Sequence, residues 1–346
     1  MALKKVGILT GGGDAPALNA VIRGVVFRLA KEGVETFGFL EGWRGLLENN
    51  SMPLTIKDVA EIVDKGGTII GSSRTNPYKK ADEDVPKVLG TLKKNKVDAL
   101  VAVGGDDTLG VASRLYDDHK INVVGVPKTI DNDLSCTDYT FGFDTAVNRA
   151  MEAMDNLKTT AFSHRRCLVV ECMGRHAGWI TAYAGMAAGA DYIMVPEEPV
   201  DMGAVCESLK RRREQGDVFN IVAVSEGATV KSGEYVTKDA EIDEFGHVKL
   251  GGVAKTIAKM IEEGTGFETR SVVLGHLQRA GAPTAYDRIL GTRYGVKAAE
   301  MVLAGEFGKM AALHGNEVVA DSLKAAAGET KMVDYNFLEM MKLFFS

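Results

Sequence analysis

Two acidic segments carry the strongest chemical signal in this chain. Gly104-Gly105-Asp106-Asp107-Thr108 follows the apolar run Val97–Val103, and Pro127-Lys128-Thr129-Ile130-Asp131-Asn132-Asp133 follows the run Asn122–Val126. In the first, two glycines free the backbone at a strand end, and two carboxylates face the space beyond it. Magnesium is bound by carboxylate oxygen together with substrate phosphate, so Asp106 and Asp107 are candidate metal or phosphate neighbours. Acidic residues favoured by a helix N-terminus explain the same letters. In the second, residues two apart on extended backbone point the same way, so Asp131 and Asp133 share a face. Paired carboxylates can divide the work, one accepting a hydroxyl proton and the other orienting or helping to place a metal. Lys128 adds a point charge for phosphate. An Asp/Asn turn accounts for the spacing, but not for its place one helix after a glycine-aspartate loop.

A third loop, Gly11-Gly12-Gly13-Asp14, follows the first apolar run and precedes a helical pattern. Glycines there allow backbone N–H groups to approach a phosphate, and they equally suit a tight turn. The spacing is not a Walker loop. Pro16 stands where the dinucleotide fingerprint needs its third glycine. Cations gather in the second half: Arg165 and Arg166 before one apolar run, Met173-Gly174-Arg175-His176 after it, and Arg270 opening another run that leads to Gly275-His276-Leu277-Gln278-Arg279. Guanidinium forks bind phosphate, and Glu226 in Ser225-Glu226-Gly227 could take sugar hydroxyls. His119, His247 and His314 lack such a setting, and no HExxH supports zinc catalysis.

These residues need elements to hold them. Strand patterns at Val6–Thr10, Glu35–Phe39, Thr68–Ile70, Val97–Val103, Asn122–Val126, Arg166–Cys172, Tyr192–Val195, Val218–Ser225 and Thr269–Leu274 alternate with helical ones. The helical patterns include Thr55–Asp64 (capped by Thr55), Val85–Asn95, Phe143–Ser163, Trp179–Ala188, Asp201–Gln215 and Val253–Glu263. Such alternation predicts an α/β fold with mainly parallel sheets covered by helices on both faces. The chain has 346 residues, which predicts two Rossmann-like three-layer domains with the active site in the cleft between them. The expected division is residues 1–142 plus about 255–305 in a donor domain, and about 143–254 plus 306–346 in a sugar-phosphate domain. Lys231–Leu250 reads as a polar loop or hairpin, and the tail after Gly305 carries no usable motif.

Composition is that of an ordinary globular protein, with 45% apolar and 25% charged residues and a net charge of -6. That balance argues against a nucleic-acid coat. No run is long enough to span a bilayer, and Met1–Lys5 enters a strand at once, so no signal peptide is expected. The four cysteines form no CxxC pair and read as inert thiols in a reducing cytoplasm.

From Val6 to about Ala304 the chain resembles the 6-phosphofructokinases, in the motifs at 11–16, 71–74, 104–108, 127–133, 173–175, 225–227 and 275–279, all in family order. The resemblance implies transfer of a phosphoryl group to the 1-hydroxyl of fructose 6-phosphate with Mg2+. It implies Asp131 as the base and Asp106 as the magnesium carboxylate. Gly11, Arg74 and Thr129 match contacts to the transferred group and its acceptor oxygen, with Gly12 alongside. Asp133, Met173, Gly174, Arg175, Glu226, His276 and Arg279 match sugar-phosphate contacts. Arg166 and Arg270 match arginines lent across a subunit boundary, so a homodimer or homotetramer with shared sites is expected.

Donor choice turns on Asp107 and Lys128. ATP-using members typically carry glycine at both positions, and pyrophosphate-using members resemble this chain. A carboxylate at 107 would repel a nucleotide's α-phosphate, and an ammonium at 128 would hold pyrophosphate. Pyrophosphate is therefore the expected donor, in a reversible reaction, with ATP as the alternative. Effector-site partners of Arg23 are replaced by Phe27 and Ile56, which implies simple saturation without ADP activation. An inert regulatory subunit would lack the acidic motifs, and a dinucleotide oxidoreductase would need the missing glycine.

Overall fold

In the computed structural model, residues 3–231 and 251–345 are described. Eleven strands occur among them: β1 (Lys5–Thr10), β2 (Glu35–Phe39), β3 (Ser51–Leu54), β4 (Ala99–Gly104), β5 (Val123–Pro127), β6 (Cys167–Cys172), β7 (Tyr192–Met194), β8 (Asn220–Ser225), β9 (Thr269–Val273), β10 (Lys309–His314) and β11 (Glu317–Ser322). The helices are α1 (Leu18–Ala30), α2 (Trp43–Glu48), α3 (Ile56–Val59), α4 (Ala81–Lys94), α5 (Asp106–His119), α6 (Phe143–His164), α7 (Trp179–Ala188), α8 (Met202–Glu214), α9 (Val253–Thr265), α10 (Ala285–Ala304) and α11 (Tyr335–Lys342).

The strands form two sheets, ordered β11-β10-β5-β4-β1-β2-β3 and β7-β8-β6-β9. The smaller is wholly parallel, and the larger is antiparallel only at its two edge pairs, β10–β11 and β2–β3. The central strands β4, β5, β6 and β8 are buried along their full length. Helices on both faces leave such strands no solvated side, so they read as continuous apolar runs rather than alternating ones. In the larger unit α1 crosses α10 at close range. A Cβ on Gly24 would lie 2.7 Å from the Thr292 carbonyl oxygen, and one on Gly295 would lie 2.3 Å from that of Val21. Glycine at both contacts lets the backbones meet.

The expected fold class stands, but the division of the chain differs. Strands β10 and β11, expected with the sugar-phosphate half, extend the larger sheet, where Lys309 pairs with Val124. Helix α9 and strand β9, expected with the donor half, belong to the smaller sheet, where Thr269 pairs with Cys167. β10 follows α10 and β9 follows α9, each a helix that already covers the sheet its strand joins, so the shortest return is to that sheet; β11 then turns back on β10. Helices α10 and α11 keep their expected sides, α10 against the larger sheet and α11 packed with α7 on the smaller one.

Local expectations also shift. Thr68–Ile70 is not a strand: Gly67 and Gly71 flank it at positive φ, 64° and 66°, which turns the chain out of any ladder. The Thr55 capping box forms with Asp58 as expected, yet the helix it opens ends at Val59. Strand β3 was masked by Pro53, which an edge strand tolerates. Residues 232–250, most of the expected hairpin, lie outside the described residues. Cys136, Cys167 and Cys172 are buried, and burial pushes the Cys167 and Cys172 thiols up to about 12. Among the described residues no helix is long and apolar enough to cross a membrane.

Candidate active site

The loops after β1, β4 and β5 lie side by side at the carboxyl edge of the larger sheet, because those strands are parallel neighbours. They form one wall of a cleft. Gly12, Gly13, Gly105, Asp106, Asp107, Thr108, Lys128, Thr129, Asp131 and Asp133 line it, with Arg74 at its edge. The facing wall supplies Arg175, from the loop after β6, and Arg279, from a single turn of 3-10 helix after β9. Each motif ends a parallel strand, which is where open α/β sheets bind ligands.

The glycine loop after β1 works differently from the expectation. The Gly11 N–H donates to the Val103 carbonyl and the Gly12 N–H to that of Ser73, each at 2.9 Å. Those donors are engaged within the protein. Glycine is needed instead for close approach, since a Cβ on Gly11 would lie 2.5 Å from the Thr108 hydroxyl. Gly11 therefore stands behind the wall, while Gly12 and Gly13 form its surface.

Lys128 is 4% exposed, and its ammonium donates to the Gly13 carbonyl at 2.5 Å. Burial and the nearby Arg279 guanidinium bring its pKa down to about 8, against the pull of Asp131, Asp106 and Asp14. It thus remains charged at neutral pH, inside the cleft. Asp131 is 5% exposed, and its main-chain N–H donates to the Thr129 hydroxyl at 3.0 Å. Its Oδ1 is buried with no hydrogen-bond partner within the protein. A buried carboxylate oxygen left this way is costly unless something else approaches it.

Burial, with Asp131 and Asp106 close by, pushes Asp133 up to about 7. Glu226, at the end of β8, is also raised to about 7, by burial and by Asp131. Its Oε1 accepts from the N–H groups of Gly174 (3.2 Å) and Arg175 (3.1 Å), which ties it to the Met173–Arg175 loop. Arg175 is held more firmly charged than usual: burial opposes its charge, but Asp131, Asp106, Asp107 and Asp133 together outweigh that. The cleft therefore concentrates negative charge around one guanidinium, with Lys128 and Arg279 adjacent. Such a surface suits an anion that arrives with its own divalent cation.

A family model described as Phosphofructokinase matches residues 5–302. The chain belongs to the phosphofructokinase family. A relative from Amycolatopsis methanolica named pyrophosphate–fructose 6-phosphate 1-phosphotransferase is 54% identical over 99% of both chains. One from Streptomyces coelicolor named ATP-dependent 6-phosphofructokinase 3 is 48% identical over 95% of this chain and 96% of its own. Among solved structures, a pyrophosphate-dependent phosphofructokinase from Marinobacter aquaeolei superposes with a TM-score of 0.82 at 24% identity, covering 96% of this chain and 86% of that one. That likeness speaks for the fold.

Two residues of the family pattern stay apart from the cleft. Arg166 precedes β6, and Arg270 is the second residue of β9. Both sit at the amino ends of strands whose carboxyl ends carry Met173 and Gly275, about 20 Å away by strand rise. They share one counter-ion, with Glu268 2.7 Å from Arg166 and 2.6 Å from Arg270. His276 lies exposed on the turn that carries Arg279. Met173 adjoins the site through its N–H, which donates to Gln278 at 3.3 Å.

Several wall residues were not singled out from sequence. Gly13, Gly105 and Thr108 belong to motifs already read, so their neighbours were the available signal. Gln278 is fully buried and also donates to the Gly275 carbonyl at 3.1 Å, which shapes the turn under Arg279. Only its place between His276 and Arg279 could have marked it.

Proposed function

We propose that this phosphofructokinase transfers a phosphoryl group from pyrophosphate to the 1-hydroxyl of fructose 6-phosphate, giving fructose 1,6-bisphosphate and phosphate, reversibly. The observation that carries the donor assignment is the pair Asp107 and Lys128 on the wall of the same cleft as Asp131. The 54% identical relative named for the pyrophosphate reaction supports it. With both donors offered at equal concentration, activity should appear with pyrophosphate and be at least about 100-fold lower with ATP, the size of a few kcal/mol of charge repulsion. Equal rates would overturn the donor assignment and leave an enzyme that uses both donors, and a preference for ATP would leave an ATP-using one.

Asp131 acts as the base. Its carboxylate takes the proton from the sugar 1-hydroxyl, the freed oxygen attacks the terminal phosphorus, and the bridging P–O bond breaks to release phosphate. Lys128 and Arg74 stabilise the negative charge that shifts onto the leaving and transferred groups, and Gly12 and Thr129 shape the space around them. Asp106, with donor oxygens, is the carboxylate that fits Mg2+, and Mg2+ bound there neutralises phosphoryl charge. The mutual repulsion among Asp106, Asp131 and Asp133 and the unpartnered Asp131 oxygen are consistent with that cation. Among the described residues no three metal-ligating side chains converge.

The sugar phosphate lies along Asp133, Met173, Gly174, Arg175, Glu226 and Arg279, with His276 at the outer end. Arg166 and Arg270 are too far from their own cleft to join it, so they serve the 6-phosphate of a neighbouring subunit in a homo-oligomer. Mixing an Asp131→Ser protein with an Arg166→Ala protein, after subunit exchange, should restore activity to hybrid sites. No recovery beyond the sum of the two parents would sink the shared site. A cytoplasmic location suits the four unpaired thiols.

A further inference from the structure

The tail beyond α10 yields no motif from sequence, yet part of it reaches the catalytic loop. Between β11 and α11, residues 330–333 run as a strap between the Asp131–Asp133 loop on one side and the start of α7 on the other. Thr330 pairs with Leu134 in an isolated antiparallel bridge. The Lys331 N–H donates to the Asp133 carbonyl at 2.8 Å. The Trp179 indole N–H donates to the Lys331 carbonyl at 2.8 Å. Two residues on, Glu197 Oε1 accepts from both Val333 N–H (3.0 Å) and Gly178 N–H (2.9 Å). The strap thus joins the base-bearing loop of the larger sheet to a helix start of the smaller one.

The Lys331 side chain turns inward. Its ammonium donates to Asn132 Oδ1 at 3.2 Å, the Thr137 carbonyl at 2.9 Å and the Asp138 carbonyl at 3.0 Å. Three acceptors match the three protons of an ammonium. Asn132 stands between the two carboxylates and is left-handed, with φ 53°. Asparagine is one of the few non-glycine residues that adopts that conformation, and here its side-chain partners hold it there. Asn132 Oδ1 also accepts from the Thr140 N–H at 3.1 Å. Lys331 and Thr140 therefore grip the one side chain whose backbone angle sets where Asp131 and Asp133 point. The charged and titratable groups nearest the ammonium are Asp138, Asp133 and Cys136. The Trp179 ring centroid lies 5.5 Å away.

We infer that Lys331 is a positioning residue for this reaction, holding Asn132 so that the Asp131 carboxylate meets the sugar hydroxyl. The inference rests on Asp131 being the base. It acts on the chemical step rather than on binding, because Lys331 lies behind the loop and does not line the cleft.

Lys331→Met keeps the stem and removes the ammonium. With the full-length oligomer, kcat for fructose 6-phosphate and pyrophosphate should fall about 10- to 100-fold, the cost of a misplaced reacting group. KM for each substrate should stay within about threefold. Lys331→Arg, which restores a cation and its donors, should recover most of that kcat. A kcat unchanged in Lys331→Met would overturn the inference. So would equal losses in the Met and Arg variants alongside a lowered melting temperature, since Lys331 would then only secure the tail. If Lys331→Met does not fold, Trp179→Phe loosens the strap at the Lys331 carbonyl without touching the ammonium. A fall in kcat at constant KM there supports positioning, and an unchanged kcat rejects it. Should Asp131→Ser itself retain turnover, the base assignment fails first. Should Asp131→Ser be inactive while Lys331→Met is not impaired, only this inference fails.

Discussion

Replacing Asp131 with serine should lower kcat by roughly 10²- to 10⁴-fold, the range over which a positioned base contributes to proton transfer. The KM for fructose 6-phosphate should move little, because the proposed sugar contacts Arg175, Glu226 and Arg279 are left in place. Three observations support the size of the effect. Asp131 is almost fully buried, its Oδ1 has no partner within the protein, and its N–H is fixed by the Thr129 hydroxyl. A carboxylate held this way loses little freedom when it meets a hydroxyl. Serine keeps the small polar shape and removes the basic oxygen, so a collapsed fold would not explain the loss. Initial rates at saturating pyrophosphate, with direct binding of fructose 6-phosphate, give the answer. Turnover near that of the parent would remove Asp131 from the chemistry and leave the cleft without an evident base.

The second large effect concerns the donor. Asp107→Gly combined with Lys128→Gly should raise kcat/KM for ATP by at least about 100-fold and lower that for pyrophosphate by a similar factor. Asp107 lies in the first turn of α5. It lines both the cleft and a neighbouring hollow bounded by Asn76, Tyr78, Gly110 and Arg114. A donor larger than pyrophosphate must pass that carboxylate to extend further. Removing it lifts a like-charge repulsion against a longer polyanionic donor. Lys128 contributes the opposite way. Its buried ammonium is held on the Gly13 carbonyl, beside the glycine loop. Its loss takes a fixed positive charge from the place where a small polyanion would sit. The two single variants separate the terms: Asp107→Gly alone should admit ATP, and Lys128→Gly alone should chiefly weaken pyrophosphate. A double variant that still rejects ATP would show that shape, rather than charge at these positions, selects the donor.

Much of the site was legible because its residues fall in short, contiguous motifs. Gly104–Thr108 and Pro127–Asp133 each follow an apolar run, and parallel neighbours β4 and β5 necessarily bring such ends together. The function of the glycine loop was not legible, since sequence does not say whether a free N–H faces a ligand or a carbonyl. The route of the tail was hidden for a different reason. Hydrogen bonding to β5 recruits β10 into the larger sheet, and edge pairing of that kind leaves no mark on periodicity.

Residue order alone determined the α/β class, the strand ends that carry chemistry, and the acidic, lysine and arginine groups available there. These follow from local pattern, since each motif is read within a few residues of its own strand. Tertiary structure alone decided what lies opposite what. It placed Arg175 and Arg279 across from the aspartates, and it left Arg166 and Arg270 at the far ends of β6 and β9. It also brought Lys331 to Asn132 across 199 residues of chain. Such contacts are set by which sheet edges and helix faces are free to pair, a property of the assembled layers that no local stretch of sequence contains.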